Sequence, residues 1–267
     1  MADPHSFLRL NQSLLGQQHR LLKLSTPLGQ DILLPQRVIA NERLGRSYEY
    51  TVDCLSVRDG IELKDLIAQP VTLWILQADR SYLPVHGYVH RMQRLGSDGQ
   101  LTFCQMSFGP WLYFLNFRKD ARIWQEKTAN DILVDVFNEH PQAQGNFRFE
   151  LAERASQRSY CTQYETDWHF VHRLMEEEGW YSYHEQKADG SGHVLVITDT
   201  THRLRPIPQE HVQFHGAGTE DELNKILHWS AARSLAPARF TSRTDDYKAP
   251  HVPKEGNTFV EVKKLFR

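Results

Sequence analysis

The chain has 267 residues, 40% of them hydrophobic, which is enough to build cores for two ordinary domains. Lysine and arginine together number 31 against 33 for aspartate and glutamate, and this balance excludes a whole-chain positive field for nucleic acid or an anionic membrane. No apolar run approaches bilayer-spanning length, and Pro4, His5 and Asn11 interrupt the N-terminal stretch where a signal peptide would be apolar. We expect no nucleic-acid partner, no integral membrane segment and no signal peptide.

Three cysteines are spread singly along the chain, and no two of them form a Cys-x-x-Cys pair. Cys54 and Cys104 fall within strand-like stretches where a small buried thiol fits, and Cys161 stands alone. This usage indicates a reducing cytosol rather than a disulfide scaffold.

The first part of the chain, residues 21–117, is typical of β structure. The stretch SYEYTVDCLSV, Ser47 to Val57, alternates apolar with polar residues, which is the period of a strand with one buried face. VTLWIL, Val71 to Leu76, is a continuous apolar run short enough for a strand covered on both faces. VHGYVHRMQRL and LTFCQMSF flank the turn sequence at 96–99 and predict a hairpin. Many short antiparallel strands indicate a sandwich or barrel.

A helix is predicted after Thr128. KTANDILVDVFNEH has Thr128 as its N-cap, carries Asp131 three residues later in a variant of the capping box, and sets four apolar side chains on one stripe. Pro141 ends the helix. The stretch NFRFEL that follows resembles a strand.

A second helix is predicted within TQYETDWHFVHRLMEEEGWYSYHE, from Thr162 to Glu185. Thr166 and Asp167 suit the positive end of the helix dipole, and Gly179 stands where a left-handed residue follows a helix. Apolar residues recur at three- and four-residue spacing. They are Trp168, Val171, Leu174 and Met175.

The chain then returns to strands. GWYSYHEQ and HVLVITD flank a polar loop at 187–192 of hairpin length, so the middle region is predicted to be α+β, with helices laid on a small sheet. Pro206 and Pro208 mark a linker. Strands are predicted again in 222–235 and in RFTSRT, Arg239 to Thr244.

The sharpest enzymatic hypothesis makes His169, His172 and Glu176 zinc ligands or a base. They share one helix face, but His169 and Glu176 stand roughly 10 Å apart along the axis, too far to close easily on one ion. The His-Glu-x-x-His signature is missing, and His184 lies on the next strand. The pattern favours polar residues on the solvated flank of a helix whose Trp168 face is buried, and it predicts no metal site and no cofactor.

Three adjacent carboxylates, Glu176, Glu177 and Glu178, could suggest a catalytic pair. Adjacent helical positions diverge by ~100°, so they cannot converge on one bond. They also lie at the helix C-terminus, where the dipole disfavours negative charge. The run indicates a partner surface or basic groups elsewhere in the fold.

Motifs for nucleophilic or nucleotide chemistry are missing from the sequence. It contains no Gly-x-Ser-x-Gly elbow, no phosphate-binding Gly-x-x-x-x-Gly-Lys loop and no dinucleotide fingerprint. HGAG at His215 to Gly218 resembles an oxyanion-hole loop, but without a nucleophile it is better interpreted as a turn. No catalytic residue is predicted, and the sequence favours a non-catalytic scaffold.

Large aromatic residues cluster at the junction of the two predicted regions, where they could be ordinary core or could join one region to the other. They are Trp111, Tyr113, Phe114, Phe117 and Trp124. We expect core for most of them and an interdomain role for one or two. The core candidates are Trp111, Trp124, Trp168, Val171, Leu174 and Met175.

Two long stretches, Pro110 to Phe137 and Tyr160 to Glu185, resemble the VgrG family of type VI secretion spike proteins. LGRSYEYTVDCLS, IELKDLIAQPVTL and VHGYVHRMQRLGSDG occupy the expected order and spacing, so the resemblance covers nearly the whole chain from about residue 21. It implies an α+β, mainly β fold, shared with hub proteins of contractile phage tails. Antiparallel β-barrel-like domains would occupy 1–118 and 206–267, the second stopping short, and would flank an α+β domain over 119–205.

The resemblance also implies a structural role, with no enzymatic activity. The expected partners are two further copies in a homotrimer of the full-length protein, a hexameric tube protein, baseplate components, and effector or adaptor proteins. The protein would be made in the cytoplasm of the donor bacterium and secreted by the type VI machinery without a signal peptide. Two alternatives stay open: a hub of a phage or phage-derived contractile tail, and a zinc-dependent hydrolase using His169, His172 and Glu176.

Overall fold

The computed structural model describes residues 16–18, 20–58, 60–98 and 100–200, and beyond them residues 204, 214, 226, 228–232, 237, 239–244, 249–252 and 254–259. Within these residues the strands are β1 (Leu22–Ser25), β2 (Leu34–Asn41), β3 (Glu49–Ser56), β4 (Pro70–Leu76), β5 (Tyr82–Ser97), β6 (Thr102–Gly109), β7 (Arg122–Thr128), β8 (Phe147–Glu150), β9 (Gln157–Gln163), β10 (Tyr181–Gln186), β11 (His193–Thr198), β12 (Arg239–Thr244) and β13 (Lys254–Phe259). The α-helices are α1 (Ala129–Asn138) and α2 (Asp167–Glu177), and the 3-10 helices are η1 (Leu63–Asp65), η2 (Trp111–Phe117) and η3 (Pro141–Ala143).

The chain divides into two compact units. The first holds β1 to β11 with both α-helices, and the second holds β12 and β13. β12 and β13 pair as an antiparallel hairpin, which confirms the strand predicted over Arg239–Thr244. The predicted linker at Pro206 and Pro208 and the HGAG sequence at His215 to Gly218 lie outside the described residues, as does most of 222–235.

The first unit opens with a six-stranded antiparallel sheet in the order β1-β4-β5-β6-β3-β2. Along β3, buried residues alternate with less buried ones, which confirms the predicted period of two. The outer strands β1 and β2 approach each other without a ladder between them, so the sheet curls into an open half-barrel around its own core. We call these strands, residues 22–109, the sheet lobe.

The hairpin predicted between the two longest stretches is present as β5 and β6. β5 runs on through Ser97, which pairs with Thr102, so the turn begins later than the predicted 96–99. Register shifts at His90 and Leu95 mark β-bulges along β5. Bulges bend a strand and increase its twist, and they let this long strand follow the curl of the sheet.

Residues 111–198 form the α+β lobe, with both helices and two small sheets around one core. β11 pairs antiparallel with β10 and parallel with β8, and β7 pairs antiparallel with β9. The Thr128 hydroxyl accepts from the Asp131 amide and the Asp131 carboxylate accepts from the Thr128 amide, which confirms the predicted capping box. Thr166 caps α2, and Gly179 follows it with a φ of 73°, as predicted.

The strands β7 and β9 are absent from the sequence prediction. Along β7 Trp124 is the one buried residue, and Glu126 takes a positive φ of 52°, so the apolar alternation of a half-buried strand never develops. Along β9 the buried residues are Cys161 and Gln163, one of them polar. Two neighbouring strands with so few buried apolar residues lack the alternation by which a strand is predicted from a single sequence.

Candidate functional site

The sheet lobe and the α+β lobe meet at the hairpin β10–β11, and we call this contact the joint. It is made by Gly45, Tyr48, Thr72 and His86 of the sheet lobe and by Ser182, His184, Gln186, Gly190 and His193 of the hairpin. Hydrogen bonds cross it from Gly45 N to Ser182 O (2.8 Å), from His86 N to Gln186 Oε1 (2.9 Å) and from Thr72 Oγ1 to Gly190 O (2.8 Å). The joint therefore binds the hairpin to strands far from it in sequence.

Two buried imidazoles form the centre of the joint. The Trp111 amide donates to His193 Nε2 at 3.0 Å, so that nitrogen carries no hydrogen. Neutral His193 then holds its proton on Nδ1, which lies 2.9 Å from His86 Nδ1 and donates to it. His86 in turn must carry its proton on Nε2. The three groups make a continuous chain in which each hydrogen has one position.

The joint disfavours charged imidazoles. Burial, with smaller contributions from two neighbouring imidazoles and Lys187, lowers the pKa of His193 to about 2. Burial and Lys187 also lower the pKa of His86. Burial and the nearby His172 lower the pKa of His184 to about 3, and His184 Nε2 is buried with no hydrogen-bond partner among the described residues. All three rings of the joint are therefore neutral at pH 7.

The residues of the zinc hypothesis do not converge. His169 is exposed, whereas His172 is buried and its Nδ1 donates to the Trp168 carbonyl at 2.9 Å, so the predicted solvated flank is wrong for His172. Glu176 pairs with Arg46 Nη2 at 3.0 Å instead. Within the part of the chain that the structure describes, no group of three or more His, Cys, Asp or Glu side chains is arranged to hold a metal ion.

Basic groups offset the acidic run at the end of α2. Arg158 pairs with Glu177 and with Glu178, each at 2.6 Å, and Arg173 pairs with Glu177 at 2.9 Å. Arg158 lies on β9, which the sequence did not predict, so its place beside the helix end could not be foreseen. Of the two interpretations left open for this run, the structure shows basic groups brought in by the fold.

One buried polar cluster was missed altogether. His140 Nε2 donates to Asp167 Oδ2 at 2.8 Å, and Gln163 Nε2 donates to Asp167 Oδ1 at 2.7 Å. Arg118 Nε lies 3.7 Å from the same carboxylate. The cluster ties the end of α1 to the start of α2, and no short-range motif could indicate it because its members come from separate elements.

Five of the six core candidates lie in the core of the α+β lobe: Trp111, Trp124, Val171, Leu174 and Met175. Trp168 is only partly buried at the edge of this core, with its ring 3.8 Å from that of His172. The predicted face is thus buried at Val171, Leu174 and Met175 and only partly at Trp168, and Phe170, which the prediction left out, is fully buried. Of the junction aromatics, Phe114 reaches across to the sheet lobe, where its ring lies 5.2 Å from that of Tyr88.

Comparison with known proteins decides the family. The profile described as phage tail baseplate hub (GPD) matches residues 41–264. The chain belongs to this family. The hub protein is 31% identical over 241 residues to the type VI secretion system spike protein VgrG1b of Pseudomonas aeruginosa, covering 88% of this chain and 32% of that protein. For VgrG1a of the same organism the identity is 31% over 240 residues, covering 88% and 36%. The hub protein thus spans about a third of the length of these relatives.

Solved structures show the same fold. The Escherichia coli c3393 protein, described as a type VI secretion component with similarity to the phage T4 tail proteins gp27 and gp5, matches with a TM-score of 0.58 at 20% identity, covering 72% of this chain and 52% of that chain. The 43 kDa tail protein of prophage MuSo2 from Shewanella oneidensis matches with a TM-score of 0.51 at 14% identity, covering 92% and 70%. The mainly β, hub-like fold implied by the resemblance is confirmed. The hub protein is a VgrG-like protein related to phage baseplate hubs.

None of the helices among the described residues is both long and apolar enough to cross a lipid bilayer.

Proposed function

We propose that this chain is the hub region of a type VI secretion spike, which assembles as a homotrimer and joins the puncturing needle to the hexameric tube. The observation that carries the proposal is the identity of 31% to VgrG1b over 88% of this chain. Baseplate components and effector or adaptor proteins are its further partners. It is made in the donor cytoplasm and leaves through the machine, so it needs no signal peptide.

A symmetry argument supports three copies. We propose the domain boundaries 1–118, 119–205 and 206–267, with barrel-like domains first and last. Three chains that each carry two similar modules present six quasi-equivalent contacts, which match a hexameric tube. On this arrangement the function depends on surface shape.

We further propose that the chain is not an enzyme. Polar groups that drew attention in the sequence have partners within the fold: His172 Nδ1 donates to the Trp168 carbonyl, and Glu176 pairs with Arg46. Glu177 pairs with Arg158 and Arg173. Elemental analysis of the purified protein tests the zinc alternative. We expect no stoichiometric zinc; bound zinc that is lost in the variant His172→Ala would contradict the proposal.

Capture from the bacterium that encodes the protein tests the proposed partners. An affinity-tagged copy is expressed at its native level, crosslinked in the living cells, purified under denaturing conditions and analysed by mass spectrometry. We expect the hexameric tube protein and baseplate proteins of a type VI system among the crosslinked products. Phage tail proteins in their place would favour the contractile-tail alternative, and neither set would contradict both.

A further inference from the structure

The hydrogen bonds at the centre of the joint depend on the protonation state of His86 and His193. They can form only while both imidazoles are neutral, because the Trp111 amide and the Nδ1 hydrogen of His193 fill the two acceptor nitrogens. A proton added to His193 would sit on Nε2 and face the Trp111 N–H. A proton added to His86 would sit on Nδ1 and face the His193 N–H. Either added proton would leave two N–H donors facing each other in a buried site, with no acceptor between them.

The surroundings give an added proton no compensation. Lys187 is the charged side chain that acts on both rings, and it repels a second positive charge. The aromatic neighbours are Tyr48 and Tyr88, which approach the His193 ring edge to face at 5.9 and 6.3 Å. Among the described residues, no carboxylate contributes to the electrostatics of either ring.

Two more histidines, His184 and His172, lie near the two central imidazoles. His184, on β10, faces His193 with ring centroids 5.7 Å apart, and His172 on α2 also lowers the pKa of His184. Around His172 the titratable and charged groups are His169, Arg46 and Glu176, and Glu176 is held by its ion pair with Arg46. The buried Nε2 atoms of His172 and His184 both lack a hydrogen-bond partner within the described residues.

We propose that the joint is an acid-sensitive latch, in which proton uptake by His86 and His193 releases the hairpin β10–β11 from the sheet lobe while each lobe keeps its own core. Above neutral pH the rings are uncharged and the latch is closed. In an acidic compartment the opened form takes up protons that the closed form cannot hold, and the lobes separate at the joint. The inference rests on the geometry of this chain and applies equally to a secretion spike and a phage tail hub.

Hydrogen exchange of the whole chain, followed by NMR at pH 7 and pH 5, tests the latch. The Gly45 and His86 amides donate across the joint and report on its opening, and amides within β3 and β6 report on the sheet core. The measured exchange rates are first corrected for the intrinsic exchange rate. Between pH 7 and pH 5 the opening constant at the joint is then expected to rise about 25-fold for His193 alone, because a histidine with its ordinary pKa becomes protonated in this range once the joint is open. The amides of β3 and β6 are expected to remain much better protected than the joint amides at both pH values.

Variants assign the effect to the joint. His193→Gln keeps an acceptor for the Trp111 amide but cannot titrate, so it is expected to reduce the acid-induced rise about 25-fold. His86→Asn keeps an acceptor opposite His193 Nδ1 and carries the same test if His193→Gln does not fold. His169→Gln, an exposed histidine on α2, is the matched control and is expected to leave the rise unchanged.

Three results would overturn the latch. The first is an opening constant at the joint that does not change between pH 7 and pH 5. The second is exchange of the β3 and β6 amides at pH 5 as fast as that of the joint amides, which would show global acid unfolding instead. The third is an acid response of undiminished size in His193→Gln and His86→Asn.

Discussion

Gly190 packs against the Trp74 indole so closely that a Cβ at Gly190 would come within 2.6 Å of Trp74 Cζ2. Gly190 also has a φ of 70°, a conformation that costs an alanine about 1 kcal/mol or more. The strain and the overpacking together predict that Gly190→Ala lowers the free energy of unfolding by about 2–4 kcal/mol. Urea unfolding monitored by circular dichroism measures the change.

Gly179 supplies the matched control. It has a similar φ of 73°, but a Cβ there would meet nothing within 4 Å. Gly179→Ala should therefore lose only the conformational part, about 1 kcal/mol. Equal losses in the two variants would show that the β10–β11 turn does not press against β4.

The buried histidines predict a loss of stability in mild acid. The pKa values of His184 and His193 are about 3 and about 2 in the folded chain, below their ordinary value of 6.5. Because the unfolded chain takes up these protons first, their contribution is complete above about pH 6.5 and declines below it. From pH 7 to pH 5.5 the free energy of unfolding should fall by about 1 kcal/mol for each ring. Urea midpoints at constant ionic strength that do not move would contradict this.

Two aromatic residues on α2 should differ in their effect on stability. Phe170 is fully buried and stacks on Trp124 with ring centroids 5.0 Å apart, so Phe170→Ala should cost about 3–5 kcal/mol. Trp168 packs only at the edge of the core, and Trp168→Ala should cost about half as much or less. Thermal and urea unfolding of both variants check the order. A larger loss for Trp168→Ala would reverse our assignment of the buried face.

The ion pairs at the end of α2 should matter more than an isolated surface pair. Arg158→Gln leaves Glu177 and Glu178 without their shared partner at the unfavourable end of the helix dipole, and should cost about 1 kcal/mol at low salt. Arg154 forms a more exposed pair with Asp131, and Arg154→Gln should cost less than about 0.5 kcal/mol. The difference should shrink in 1 M NaCl. A loss that is independent of salt would contradict an electrostatic origin.

Local signals in the sequence predicted those parts of the fold that depend on neighbouring residues. Thr128 and Asp131 form the capping box because the two are three residues apart, and the alternation along β3 follows from one buried face. Gly179 marked the end of α2 because a left-handed residue favours glycine. Each of these features is determined by residues that are close to one another in the sequence.

The rest depends on contacts between distant residues. His86 and His193 are 107 residues apart, and neither belongs to a motif, so their pairing follows only once the hairpin β10–β11 meets the sheet lobe. Burial of His172 and partial exposure of Trp168 are set by how α2 rotates on its core, since helical spacing alone allows either face. The contacts of the joint could therefore not be predicted from the sequence, although the sequence contains each of its histidines.

Native mass spectrometry of the protein, purified from the bacterium that encodes it, tests the central claim most directly. A structural hub that matches a hexameric tube should be present in three copies in each particle. We predict a homotrimer that persists at nanomolar concentration. A particle with a single copy, or with two, would contradict the account.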